Sequence, residues 1–253
     1  MALIDSHCHL DFPVFDGDRD VVVGRAREVG VTGVLVPGVS PDTWGRVLGV
    51  RERYGAMIRV ALGIHPHALP TLSEAQVVAG LAGLEARLLA EGACAVGECG
   101  LDGLLAKRGV PMARQEAALE AQLDIAEALG LPVILHCVKA HGRLLALLER
   151  RAVVGVLHAW TGSAEMTARF AALGMYFGFG GAITHANARR PLEAAVAAPA
   201  DRVLLETDAP DMAPRVPLPI AGRNEPMMVA MFAERLETIR GETIPDNSGF
   251  LGF

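Results

Sequence analysis

The chain has 253 residues, of which 51% are hydrophobic and 21% charged, so a disordered or collagen-like polymer is excluded and one large core is affordable. A formal charge of −6 with no Lys/Arg run argues against a protein that grips long nucleic acid by its backbone; any phosphate must be met locally, inside a cleft. Aromatics are only 5%, so the core must be aliphatic. Cys8, Cys94, Cys99 and Cys137 form no Cys-x-x-Cys pair and read as reduced thiols. With no signal-peptide pattern and no apolar run of about 20 residues, a cytoplasmic protein without a membrane span is expected.

In chain order, "ALIDSH" from Ala2 is the first strand candidate. The first helix is "DRDVVVGRAREVG" from Asp18, with Val22, Ala26 and Val29 on one face and Gly30 as its stop. "GVLVPG" from Gly33 is the second strand. In "SPDTWGRVLGVRERYG", Ser40 reads as N-cap, Pro41 as the first helical residue, and Trp44, Val47 and Leu48 as the buried stripe. The third strand, "IRVALGIH" from Ile58, precedes a capping box formed by Ser73 and Gln76. "CAVGECG" from Cys94 is the fourth. The helix "QEAALEAQLDIAEALG" then turns Leu119, Leu123 and Ala126 inward and closes at Gly130 and Pro132. The remaining strands are "PVILHC" from Pro132, "VVGVLHA" from Val153, "MYFGFGG" from Met175 and "RVLLETDA" from Arg202, with "SAEMTARFAALG" and "PMMVAMFAERLETIRG" as further helices.

These strands are near-continuous apolar runs, as in parallel sheets covered on both faces. Eight of them alternating with helices predict a single (β/α)8 TIM barrel over residues 1–253. An open doubly wound sheet is the runner-up, but no Gly-x-Gly-x-x-Gly follows the first strand. The Pro-rich stretch 209–226 reads as one long loop, and loops of that length are usually functional.

The unusual residues fall at strand ends. His7 and His9 end the first strand and, two apart, share a face. His65 and His67 follow the third, Glu98 ends the fourth, His136 the fifth, His158 the sixth and Asp208 the eighth. A parallel barrel gathers all of these on its C-terminal rim. Read singly, Asp208 caps a turn, Glu98 pairs with a cation, and His136 and His158 are hydrogen-bonded core residues. Together they exceed the needs of one tetrahedral ion and suit two divalent ions. The assignment is His7, His9 and Asp208 on the first ion and His136 and His158 on the second, with Glu98 between. Two such ions clamp the attacking and leaving oxygens of a hydrolytic displacement and lower the pKa of water. Asp208 is then the general base. His65 and His67 either hydrogen-bond substrate or stiffen the loop with Pro66. Nitrogen-rich ligands lean toward Zn or Mn.

The stretches "DSHCHLD", "GIHPH", "GECGLD", "LPVILHC", "HAWTGS", "LLETDAP" and "GRNEP" resemble, in order, those of the TatD family of metal-dependent deoxyribonucleases within the amidohydrolase superfamily. The first and the "ETDAPDM" stretch are most similar to its YjjV subgroup. The resemblance implies a distorted TIM barrel and a 3′-to-5′ exodeoxyribonuclease cleaving phosphodiesters of DNA with Mg²⁺ or a similar ion. It implies the same ligands: His7, His9, Glu98 as bridge and catalytic carboxylate, His136, His158, and Asp208 as ligand and base. Many superfamily relatives bridge with a carboxylated Lys, where this sequence has Glu98. The sequence departs from the family where Ser-Arg commonly follows the fifth-strand His. Here the run is Cys137-Val138-Lys139-Ala140-His141, leaving Lys139 or His141 to meet phosphate without the fork of an Arg. "GLLAKRG" replaces the usual aromatic and Arg, with Lys107 or Arg108 as substitutes, and "ETIPDNSGFLGF" looks shortened. Arg223 and Asn224 in the long loop are further candidates for phosphate contact. A DNA or small phosphoester substrate is expected, with no obligate protein partner. The alternatives are a C–N or ester hydrolase acting on a small molecule, and a metal-binding protein without catalysis.

Overall fold

In a computed structural model, which describes residues 3–185, 187–216 and 218–253, each of the eight apolar runs forms a strand. The first half of the chain comprises β1 (Leu3–Asp5), α1 (Arg19–Glu28), β2 (Val31–Pro37), α2 (Trp44–Tyr54), β3 (Ile58–Leu62), α3 (Glu74–Glu91), β4 (Ala95–Asp102) and the short α4 (Gly103–Lys107). It continues through α5 (Met112–Leu129), β5 (Val133–Val138), α6 (His141–Leu148), β6 (Gly155–Leu157) and α7 (Ala164–Ala172). The last elements are β7 (Tyr176–Phe179), α8 (Arg189–Ala197), β8 (Val203–Leu205) and α9 (Val229–Arg240). The strands lie side by side in sequence order and every neighbouring pair is parallel, the layout of a TIM barrel.

The seam between β8 and β1 closes just beyond the ends of both strands. Ser6 N donates to Leu205 O (2.9 Å), Asp208 N to His7 O (2.8 Å) and His9 N to Ala209 O (2.8 Å). The buried Asp5 carboxylate reinforces it by accepting from Thr207 N (2.9 Å) and Thr207 Oγ1 (2.6 Å). These bonds bring residues 7 and 9 against residue 208.

Alternation along the strands divides the core. Val34 and Val36, Val60 and Leu62, Val133 and Leu135 pack under the helices. Leu35, Ala61, Ala95, Ile134, Val156 and Leu204 form a separate interior cluster, completed by Leu251 from the C-terminal turn Ser248–Leu251. That turn packs where the strands begin: Phe250 stacks on Tyr176 at 3.9 Å, and Arg59 Nε donates to Gly252 O. The site therefore occupies the opposite, C-terminal mouth.

Local signals read true where side chains make the cap. Ser73 and Gln76 form the reciprocal capping box, and Gly130 takes the left-handed conformation that ends α5 (φ 63°). The start of α2 differs from expectation. Thr43 N and Trp44 N both donate to Ser40 O, so residues 40–43 form a turn and the helix begins at Trp44. That turn leaves Ser40, Asp42 and Thr43 facing the mouth of the barrel. The buried stripe of α2 is Trp44, Val47 and Val50, with Leu48 half-buried. Val29 lies at the C-cap of α1 and is exposed, its buried place being taken by Val23. Stretch 209–226 is a loop as expected; its Pro217 lies outside the described residues. No helix among the described residues is long and apolar enough to cross a membrane.

Candidate metal centre

Glu98, from β4, is 1% exposed and stands at the middle of the mouth. Its Oε2 lies 3.2 Å from His7 Nε2 and 3.4 Å from His9 Nε2. Its Oε1 lies 2.8 Å from His158 Nε2, 3.1 Å from His65 Nε2 and 3.5 Å from His136 Nδ1. Among the described residues its charged partners are all histidines, with no Lys or Arg. Asp208 Oδ1 is 3.6 Å from Nε2 of both His7 and His9. Nitrogen faces nitrogen at 3.3 Å for His7 and His9, and again for His136 Nδ1 and His158 Nε2. Such a convergence of lone pairs on a buried carboxylate fits a divalent cation: N and O donors in this mixture suit Zn, Mn or Mg. Three ligand sets share this space: His7, His9 and Asp208; His7, Glu98 and His158; and His65, Glu98 and His136.

Backbone devices bring these groups in. Asp208 has a left-handed φ of 55°, which Asp tolerates better than most residues, so the chain reverses at the carboxylate. Beside His136, β4 must come very close to β5. A Cβ on Gly100 would lie 2.0 Å from His136 O, so only glycine fits.

Burial and charge work against each other here. Burial pushes His7 well below the usual histidine value and His65 down to about 4, leaving both as neutral lone-pair donors. Burial also opposes charge on His158, but the Glu98 carboxylate outweighs it and pushes that ring up to about 10. Burial opposes charge on Glu98 as well, yet the charge on His158 holds it well below the carboxylate range. Burial raises Asp208. A bound cation would take over the role of the His158 proton, and metal uptake should release protons.

His65 was expected only to touch substrate or stiffen the loop, yet it meets Glu98 as closely as the other imidazoles do. Asp102 and two glutamines went unread in the sequence. From the buried face of α5, Gln122 Oε1 accepts from Ile64 N (2.7 Å) and its Nε2 donates to Ile64 O (3.1 Å), fixing the backbone before His65. Gln115 does the same for Asp102, at 2.7 and 3.1 Å. The available signal was two buried amides seven residues apart, on one face of an otherwise apolar helix.

A cavity of about 420 Å³ opens over the centre. Besides the histidines, Glu98 and Asp208, it is lined by Phe12, Ser40, Asp42, Thr43, Thr71 and Asp211, among others. Phe12 stacks on His9 at 4.5 Å. His67 also lines the cavity and is exposed. Lys139 is exposed after β5, and Lys139, Arg223 and Asn224 are not part of the lining.

Arg223 and Asn224, the other candidates for phosphate contact, are engaged with groups of the chain itself. Arg223 is 7% exposed; its guanidinium grips Asp18 with two bonds (2.8 and 2.7 Å) and Glu225 with a third (2.8 Å). Asn224 Nδ2 donates to Thr207 O (2.8 Å) and Asp211 O (3.0 Å), splinting the turn that carries Asp208. Arg223 is held by one acid of its own loop and one 205 positions away, which sequence order alone does not reveal. Arg223→Ala should therefore cost about 2–3 kcal/mol in urea unfolding and leave KM unchanged. The cost falls below that of a fully buried pair because Asp18 still meets water.

Fold and site together define a metal-dependent hydrolase of TIM-barrel type. The profile of the family described as TatD related DNase matches residues 4–247, and the chain belongs to that family. It is 38% identical to the metal-dependent hydrolase YjjV of Escherichia coli (strain K12), over 83% of this chain and 80% of that protein. It is also 38% identical to the 3′-5′ ssDNA/RNA exonuclease TatD of Edwardsiella piscicida, over 92% and 90%. The crystal structure of Escherichia coli YjjV superposes with a TM-score of 0.86 at 35% identity, covering 98% of this chain and 94% of that one.

Proposed function

We propose that the protein removes nucleotides from the 3′ end of single-stranded DNA by phosphodiester hydrolysis with two divalent ions. The observation that carries this reading is the Glu98 carboxylate, which presents one oxygen to His7 and His9 and the other to His65, His136 and His158. Ions held there supply Lewis acidity toward the phosphoryl group and a lowered pKa for water. His7, His9 and Asp208 would hold one ion and His136 and His158 the other, with His65 within reach and Glu98 available to both. Asp208, whose side chain keeps 15% exposure toward the cavity, accepts the proton of the attacking water. His67, at the wall, contacts the bound strand. The four free cysteines fit a cytoplasmic setting.

A second reading, hydrolysis of a small ester or amide, is favoured by the walls. Asp42 and Asp211 line the cavity, and no Lys or Arg does so among the described residues. Incubation of 5′-labelled single-stranded DNA with Mg²⁺ or Mn²⁺ decides between them. The nuclease reading expects a ladder shortening from the 3′ end, abolished by chelator and restored by metal. An intact strand beside turnover of a lactone or amide supports the second.

A further inference from the structure

We propose that Asp102 is a positioning residue that fixes which ring nitrogen His136 offers to the metal centre, an inference that rests on the two-ion reading above. Asp102 ends β4 and cannot swing. Its Oδ1 accepts from Leu104 N (2.7 Å) and Leu105 N (2.9 Å), capping α4, while Gln115 pins its backbone N–H and carbonyl. The other oxygen, Oδ2, is therefore aimed outward, 2.8 Å from His67 Nε2 and 3.5 Å from His136 Nε2.

His136 has its two nitrogens in different company. Nδ1 faces Glu98 Oε1 and His158 Nε2. Nε2 is buried without a hydrogen-bond partner, and Asp102 Oδ2 is the carboxylate oxygen that faces it. A carboxylate oxygen stands 3.5 Å from each ring nitrogen, so a cation on the Glu98 side would exclude the single proton of a neutral imidazole from Nδ1, and the Asp102 carboxylate would receive it at Nε2. Nδ1 is left with its lone pair toward Glu98, as a metal ligand requires. At 3.5 Å the contact is at the long end of hydrogen bonding. Contacts of this kind tighten when a site fills. His67 shares the same oxygen and helps hold it on the cavity side.

Asp102→Asn separates this role from capping. Asn caps helices as well as Asp does, so its oxygen stays on Leu104 N and Leu105 N and its NH₂ turns toward the histidines. A donor at that position drives the His136 proton onto Nδ1, where it blocks coordination. The expected result by titration of the folded, chelated variant with Zn²⁺ or Mn²⁺ is one site intact. The other should be weakened by about 10–100-fold, as for other partners of metal-bound histidines. Ring ¹⁵N spectra of the Zn²⁺-loaded wild type should show the His136 proton on Nε2, a signal that Asp102→Asn should lose. Asp102→Ser, which keeps a capping oxygen but withdraws the acceptor, should weaken the same site. Equal affinities and unchanged ring spectra in Asp102→Asn overturn the proposal. So does a third ion in the wild type that Asp102→Asn loses, since His67, Asp102 and His136 would then be a cation site of their own. A wild type that takes up no divalent ion defeats the two-ion reading itself, a result distinct from either.

Discussion

Glu98→Gln should lower kcat/KM by at least about 10³-fold while leaving the barrel folded. The amide keeps the volume of the side chain but not its charge, so it cannot span two cations. Losing about 4 kcal/mol of Lewis-acid stabilisation corresponds to that factor. The same variant should change how the chelated protein responds to pH. In the wild type Glu98 pushes His158 from 6.5 up to about 10. A group raised on folding contributes stability that is fully present below its unfolded value and is lost as pH rises through the folded one. The chelated wild type should therefore lose stability between about pH 6.5 and 10. In Glu98→Gln that slope should flatten, because His158 has lost the carboxylate that raised it. Thermal unfolding across this range, alongside steady-state rates, checks both halves. An unchanged rate or an unchanged slope would show that Glu98 is not at the centre.

Asp208→Asn should lower kcat by about 10²–10⁴-fold, the range for removal of a general base, with less effect on KM. The reason is access. The Asp208 side chain keeps 15% exposure on the cavity wall, against 2% for Glu98, so of these two carboxylates it is the one that water can reach. The seam bonds that seat it use its backbone N–H, so the fold should survive the substitution. Near-normal turnover at saturating metal would assign the base elsewhere.

Much of the architecture was legible because a parallel barrel turns a one-dimensional pattern into a place. Eight apolar runs give eight strands, and a polar residue at the C-terminal end of a run comes to one mouth. His7, His9, Glu98, His136, His158 and Asp208 could be gathered on paper by that rule alone. What stayed hidden depends on register and on partners far along the chain. The His65 loop approaches Glu98 because Gln122, 58 positions after Ile64, clamps the backbone beside it. Asp102 reads as one more residue of "GECGLD" until β4 places it behind His136. Arg223 reads as a free cation until the N-cap of α1 brings Asp18 to it across 205 positions. Ser40 looks like a helix cap, yet its carbonyl closes a turn that puts Ser40, Asp42 and Thr43 on the cavity wall. Periodicity reports which face is apolar, and buried polar groups that splint the backbone are invisible to it.

Anomalous diffraction from crystals grown with Mn²⁺ or Zn²⁺ tests the central claim most directly. Two peaks are expected, one on each side of the Glu98 carboxylate, the first within bonding distance of His7, His9 and Asp208 and the second of His136 and His158. A single peak away from Glu98, or none at saturating metal, would contradict it.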